Sequence, residues 1–408
     1  MQEQKEAVEE QPKRASPIYE QILEVFYAPR KAFKEITKQP KYLGPILILI
    51  LFVAANTAYG YVILSKSYLE QTLPKVDASA NQFDAWTENA SLWNSTPGVA
   101  ITENFVDFIN GSYYGNRSIS FSTINSSQIS MQIMNIGPAN CTRPGGYENM
   151  SVRVKIVDPQ TPPPSNASIY LFSGETSNYY YNLTDTFSST TAGVWNNLTI
   201  PLDTAGWVNN NANADWGNIT GLKLEFSWPQ QNSNITMLVD GLFFRGLFQT
   251  PLDSAGASYL FSYSLSGILQ FVIEWIFIGG IIFLAAKGLG SKMKWKAILI
   301  PVGFALIALV VQTIVNTIVI STLPSLYYPF EIFGGTAAEQ TAAINALSNQ
   351  VGLATAISGY IQLATLIWII ALCAIATRLT TEFSWVKSAT ISAAAVGATF
   401  LLGLLLGI

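Results

Sequence analysis

From Ala297 through Thr377 the chain carries no lysine or arginine, a stretch too long and too apolar for the core of a globular protein. A helix of about 20 apolar residues crosses the roughly 30 Å of a hydrocarbon layer. The uncharged run YLGPILILILFVAANTAYGYVILS, between Lys41 and Lys66, meets that requirement and is read as a span over 44–65. Four further spans follow, at 262–286, 297–323, 352–377 and 388–408. Half of the residues are hydrophobic and only 12% are charged, about half the soluble norm of roughly 25%.

The same composition removes most catalytic chemistry. There is no histidine, and Cys141 and Cys373 are the only cysteines. A Ser/His/Asp triad, an HExxH zinc site, a four-cysteine cluster and a disulfide network are therefore excluded. A formal net charge of −4 gives no argument for a nucleic-acid partner. No cofactor, no metal and no catalytic residue are expected, and the chain is read as a non-enzyme. A glycan-processing enzyme would need two carboxylates at a set separation in a cleft, and the acids between residues 66 and 261 form no such motif.

Short cytoplasmic loops retain Lys and Arg. The first 43 residues contain Lys5, Lys13, Arg14, Arg30, Lys31, Lys34, Lys38 and Lys41. Lys287, Lys292, Lys294 and Lys296 follow span two, Arg378 and Lys387 follow span four, and 324–350 has no cation. The expected topology has a cytoplasmic N-terminus, with 66–261 and 324–350 outside and the C-terminus near the outer surface. A cleaved signal peptide is not expected, because the first span exceeds a signal core and lies behind a long polar stretch. The expected organisation is a cytoplasmic segment 1–43, span one, a stalk over 66–104, an extracytoplasmic all-β sandwich or jelly roll over 105–246, and spans two to five within 247–408.

Asn-x-Ser/Thr acceptors give an independent test of sidedness. They occur at Asn89, Asn94, Asn110, Asn116, Asn125, Asn140, Asn149, Asn166, Asn182, Asn197, Asn218 and Asn234, all inside the expected ectodomain. Chance pairing in so Asn-rich a region predicts roughly 4.5. The excess points to a glycan-coated surface. With one cysteine in that domain, disulfides cannot staple it, which leans toward an archaeal envelope.

Ser16-Pro17 can cap and begin a helix whose Ile18, Ile22, Val25 and Phe26 share one face. After Pro29, Arg30, Lys31, Lys34, Lys38 and Lys41 surround Phe33 and Ile36, a composition suited to an anionic leaflet or to packing on the cytoplasmic ends of the spans. The run FYAPRKAFKEITKQPKYLGPILILI, residues 26–50, resembles the segment leading into the first span of the Yip-domain family, the Ypt-interacting five-span membrane proteins. The resemblance covers about 18–65 and 262–408, and it implies five spans with the N-terminus inside and a role in membrane trafficking and GTPase contacts. The chain departs from the family in having YLGP where the family has an acidic residue before Leu-Tyr-Gly-Pro, and in the large insertion between spans one and two.

Beyond residue 105 the hydrophobic period changes to two. In MSVRVKIV, Val152, Val154 and Ile156 alternate with polar residues, and LKLEFSW behaves alike. Further strands are expected at 117–123, 128–134, 168–173, 178–183, 195–202 and 234–244. The runs WNNLTIPLDTAGW, ADWGNITGLKLEFSW and ITMLVDGLFFRG resemble the C-terminal half of galactose-binding-like jelly rolls, as in carbohydrate-binding modules. Sugar recognition uses flat aromatic faces, and Tyr179, Tyr180, Tyr181 and Trp207 are the candidates, with Trp207 beside Asn209 to Asn211 expected to be exposed. Trp195 and Trp216 are expected to pack the sandwich core, and Asp240 to tie a turn.

Glu274 sits midway along span two, where a charge costs on the order of 3 kcal/mol by insertion scales. No Lys or Arg in any span can pair with it. The expectation is a protonated carboxyl hydrogen-bonded to Gln312, Asn316 or Gln362 on neighbouring helices, as a polar clasp or as a proton or cation site. Gly403 and Gly407 form a GxxxG step suited to close helix packing. The leading reading is an envelope scaffold or adaptor contacting membrane lipid, other membrane subunits, S-layer-like surface proteins or glycans. The alternative is a transporter or channel accessory subunit centred on Glu274.

Overall fold

Lipid-length apolar runs can satisfy their backbone only internally, and each such run here is helical. The computed structural model describes residues 17–76, 85–188, 191–210, 213–230 and 233–406. Lys5, Lys13, Arg14, the Ser16 cap, Asn211 and Gly407 lie outside the described residues. Five stretches are long and apolar enough to cross a membrane: Leu43–Lys66, Pro251–Gly288, Trp295–Ser321, Ala337–Thr381 and Trp385–Leu405. The chain divides into a helical unit of Met1–Lys66, Pro251–Pro324 and Val351–Ile408, and a β unit of Ser67–Thr250 and Ser325–Gln350.

The helices are α1 (Ile18–Tyr27), α2 (Pro29–Lys38), α3 (Leu43–Lys66), α4 (Thr184–Ser188), α5 (Pro251–Gly288), α6 (Trp295–Ala305), α7 (Ile307–Ser321), α8 (Glu331–Gly334), α9 (Ala337–Thr381) and α10 (Trp385–Leu406). α6 and α7 together form the third stretch, whose most apolar window is 78% buried inside the protein against 17 to 33% for the others. That stretch is therefore the centre of the bundle. Pro301 lies inside α6, and the helix breaks at Leu306 (ψ 0°) before α7 resumes.

Tyr42 to Pro45 serve this packing. A Cβ on Gly44 would fall within the Phe304 ring, and one on Gly303 would come within 2.6 Å of Pro45 and 2.7 Å of Trp275 Nε1. Glycine at both positions lets α3 and α6 touch. Trp275 Nε1 donates to the Leu299 carbonyl at 2.7 Å, and the Tyr42 ring meets Trp275 edge-on with centroids 6.3 Å apart.

The apolar face of α1 and α2 packs into the bundle. Ile22, Val25, Phe33 and Ile36 join Ile48, Phe52, Phe271 and Phe304 in one buried cluster. Each α1 or α2 side chain in this cluster contributes about 1.5–3 kcal/mol on leaving water. Pro29 opens α2 at its first turn, where its missing N–H costs nothing. Arg30, Lys34 and Lys38 remain exposed, and Lys31 pairs with Glu24 at 2.6 Å.

The β unit is a two-sheet sandwich. Its strands are β1 (Ser67–Leu73), β2 (Trp93–Ser95), β3 (Ala100–Asn104), β4 (Ser118–Ser126), β5 (Gln128–Ala139), β6 (Asn149–Asp158), β7 (Asn166–Phe172), β8 (Asn178–Asn182), β9 (Asn196–Pro201), β10 (Trp207–Asn209), β11 (Ile219–Ser227), β12 (Ser233–Gln249) and β13 (Leu326–Tyr328). One sheet runs β13-β1-β12-β4-β3, with β6 bridging β12 and β9; the other runs β10-β8-β7-β11-β5-β2. All pairings are antiparallel except β1 with β13. Alternation fills the interior: Phe121, Val152, Val154, Met237 and Val239 from one sheet meet Met131, Ile133, Ile169, Leu171, Leu224 and Phe226 from the other.

The structure differs from sequence expectation in two segments. The stalk expected over 66–104 contributes β1, β2 and β3 to the sheets, because backbone pairing with β12, β5 and β4 replaces the missing alternation. The loop expected at 324–350 holds β13, α8 and the first turns of α9. Thr336 and Glu339 form a reciprocal cap there, Thr336 N donating to Glu339 Oε2 at 2.9 Å and Glu339 N to Thr336 Oγ1 at 3.4 Å.

Candidate functional site

Strand period places the polar partners of the core residues on the outer face of the six-stranded sheet. Backbone register aligns Val208, Tyr180, Tyr170, Lys223, Gln132 and Asn94 in one row across all six strands. The adjacent row is Asn182, Ser168, Glu225 and Ser130. The Tyr170 and Tyr180 rings lie 5.2 Å apart, tilted by 56°. Lys223 Nζ sits 4.1 Å from the centre of the Tyr170 ring and 2.7 Å from Glu225 Oε2. Ser168 Oγ is buried without a hydrogen-bond partner. The face thus combines two aromatic rings with charged and amide groups, which can stack on apolar C–H surfaces and hydrogen-bond hydroxyls, while Ser168 and Ser130 lie buried beneath it.

Of the four aromatic residues singled out from sequence, Tyr180 alone points to this face. Tyr179 is buried, stacks on Trp216 with centroids 4.0 Å apart, and donates from its hydroxyl to the Ala214 carbonyl at 2.8 Å. Burial, then the nearby Asp215 and Asp203 carboxylates, push its phenol pKa up. Tyr181 packs on Trp207, centroids 5.0 Å apart. Trp207, expected to be exposed, is half-buried against the core and donates from Nε1 to the Pro201 carbonyl at 2.8 Å. The sequence that places Tyr180 outward in β8 places its two neighbours inward.

Trp216 packs against the main core and Trp195 against a smaller cluster with Phe243 and Phe330, where its Nε1 donates to Asp107 at 2.9 Å. Asp240 is fully buried and accepts from Thr87 Oγ1 at 3.1 Å, Ile109 N at 2.7 Å and Gly241 N at 2.7 Å. It joins three separate segments rather than one turn. Tyr170, Lys223, Glu225 and Gln132 escaped sequence reasoning, although the alternation in NASIYLF and LKLEFSW already marked Tyr170, Lys223 and Glu225 as outward positions.

None of the twelve sequon asparagines is buried. Asn89, Asn94, Asn110, Asn116, Asn125, Asn140, Asn182, Asn197, Asn218 and Asn234 are exposed, while Asn149 and Asn166 are half-buried in strands.

Glu274 has a different neighbour from those expected. Gln270, one turn earlier on α5, donates from Nε2 to Glu274 Oε1 at 3.0 Å. Gln312 and Gln362 line the same cavity of about 100 Å³, whereas Asn316 lines a second cavity of about 140 Å³ with Asn56, Tyr59 and Thr313. Gln270 and Gln312 line both. Gly403, read as a helix-packing residue, lies in the wall of the first cavity. Among the described residues no three His, Cys, Asp or Glu side chains converge as metal ligands.

No protein-family model and no curated protein matches the chain. Solved structures similar to part of it include a family 11 carbohydrate-binding module from Clostridium thermocellum in complex with a β-1,3-1,4-mixed-linked tetrasaccharide, at 13% identity over 43% of this chain and 94% of that one, with a TM-score of 0.28. A family 30 carbohydrate-binding module of a Clostridium thermocellum cellulosomal cellulase is similar at 9% identity over 39% and 92%, TM-score 0.28. A β-1,2-glucanase from Parabacteroides distasonis is similar at 16% identity over 40% and 25%, TM-score 0.28.

Proposed function

We propose that this chain is a non-enzymatic, Yip-like integral membrane scaffold whose β-sandwich binds glycans on the outer face of its six-stranded sheet. The reading is carried by the row Tyr180, Tyr170, Lys223 and Gln132, where two adjacent aromatic rings stand among hydrogen-bonding groups. The five apolar helices cross the membrane, with the N-terminal segment cytoplasmic and the glycosylated β unit outside. The distribution of Lys and Arg and of sequons supports that sidedness. Exposed Arg30, Lys34 and Lys38 on α2 then face anionic headgroups. Partners are surface glycans, S-layer-like proteins or other membrane subunits.

The test is a glycan array probed with the full chain in a sugar-free detergent, alongside Tyr170→Ala/Tyr180→Ala. Saturable binding lost in the double variant supports the reading; absence of binding to every glycan class rejects it. The competing reading, a transporter or channel accessory centred on Glu274, predicts flux in liposomes that disappears with Glu274→Gln.

A further inference from the structure

The cavity around Glu274 draws its walls from four helices: Gln270 and Glu274 from α5, Gln312 from α7, Gln362 and Thr365 from α9, and Thr399 from α10. The hydrogen bonds inside it decide what it can hold. Thr365 Oγ1 donates to the Ile361 carbonyl at 2.9 Å and Thr399 Oγ1 to the Ala395 carbonyl at 2.8 Å. Each hydroxyl proton is spent on its own helix, so both side chains offer the cavity only lone pairs. Glu274 is likewise an acceptor, receiving the Gln270 amide. Gln312 and Gln362 can each turn a carboxamide oxygen inward.

The neighbouring cavity repeats the pattern. Thr313 Oγ1 donates to the Leu309 carbonyl at 2.9 Å, and Asn316 Oδ1 is buried with no partner. Glu274 and the two threonine hydroxyls therefore stand as oxygen acceptors at the first cavity, and Thr313 and the unpartnered Asn316 Oδ1 do so at the second, an arrangement that a cation can complete. Charge fixes its valence. Glu274 is the one ionisable residue lining either cavity apart from Tyr59, and the described residues place no Lys or Arg among the lining groups. The ion enters in exchange for the Glu274 proton: in a hydrocarbon surround the carboxylate with a +1 ion is as neutral as the protonated carboxyl it replaces, whereas a divalent ion would leave a net charge costing several kcal/mol. A cavity of about 100 Å³ has room for an alkali ion together with water.

We propose that Glu274, Thr365, Thr399 and the carboxamides of Gln312 and Gln362 form an intramembrane binding site for an alkali-metal cation. The valence argument rests on the membrane-spanning reading given above, which carbonate-resistant sedimentation tests separately. The full chain in a sugar-free detergent is heated in NaCl or KCl and, at equal ionic strength, in N-methylglucamine chloride or MgCl2, with unfolding followed by tryptophan fluorescence. Direct binding is measured with radioactive sodium. A saturable rise in midpoint specific to an alkali ion, absent from Glu274→Gln, supports the site. Should Glu274→Gln fail to fold, Thr399→Val, which keeps the shape and removes one oxygen, is expected to weaken sodium or potassium binding by about tenfold. Equal midpoints in all four salts together with no tracer binding, or an undiminished alkali effect in both variants, overturns the proposal. Binding without flux in liposomes supports the site and separates it from transport.

Discussion

Arg245 donates through Nε and Nη2 to the two carboxylate oxygens of Glu70, each at 2.9 Å, in a parallel fork. The same guanidinium reaches Glu331 and lies 4.5 Å from the centre of the Phe330 ring. Glu70 also accepts from Gly246 N at 2.9 Å and Phe330 N at 3.0 Å, so it joins β1, β12 and the segment before α8. Burial works against the Arg245 charge, but hydrogen bonds to Glu331 and Glu70 outweigh it and hold the pKa above the ordinary value. Removing one member leaves a buried charge unpaired, since the Glu70 side chain is only 2% exposed. Arg245→Ala should therefore destabilise the β unit by about 3–5 kcal/mol. Denaturant unfolding followed by near-ultraviolet circular dichroism measures it; a loss below about 1 kcal/mol would remove this network as the clamp on 325–350.

Cys141 is fully buried in the sandwich core. Burial, with a smaller contribution from the Asp203 charge, pushes its thiol up to about 12 from 9.0. The neutral thiol is the form the fold favours. Its contribution is complete below the unfolded value and is lost as pH rises from about 9 toward 12. At pH 8 the native chain should resist maleimide at this position and react only after denaturation of the β unit. Rapid labelling of Cys141 under native conditions, located by peptide mapping, would contradict the buried placement.

Much of this architecture was legible because period and length are local properties. All eight strands expected from alternation occur, and each of the five expected spans falls on an apolar helical stretch long enough to cross a membrane. β1, β2, β3, β10 and β13 were not legible: three have only three residues, and all owe their existence to partners distant in sequence. Ser67 to Leu73 becomes a strand through Leu69 opposite Gln249, a pairing that no window of β1 encodes. The candidate face was half legible. The sequence named Tyr179, Tyr180 and Tyr181 together without saying which points outward, and only the β7–β8–β11 register sets Tyr180 beside Tyr170 and Lys223. Glu274 was conspicuous by its charge, whereas the donor count of its cavity depends on which carbonyl each threonine meets.

The sequon distribution yields a graded expectation. Glycopeptide mapping of the native protein should find sugar on most of the ten exposed asparagines. Occupancy should be lowest at Asn149 and Asn166, the two that are half-buried, Asn166 Oδ1 also accepting from Thr184 Oγ1 at 3.3 Å. Twelve unmodified peptides would reject the outward placement of the β unit.

The contact between α3 and α6 offers a test with an internal control. Gly44 and Gly303 each lie where a side chain would overlap the facing helix, whereas the space around Gly359 in α9 is open. Gly44→Val must push Phe304 out of the buried cluster it shares with Phe52 and Phe271, and overpacking of this kind costs about 1–3 kcal/mol or more. Gly359→Val adds the same atoms without such a clash. Gly44→Val should lower the melting temperature of the detergent-solubilised chain and broaden its size-exclusion profile, while Gly359→Val leaves both close to the parent. Equal behaviour of the two variants would mean that the Tyr42 to Pro45 stretch does not set the approach of α3 to the centre of the bundle.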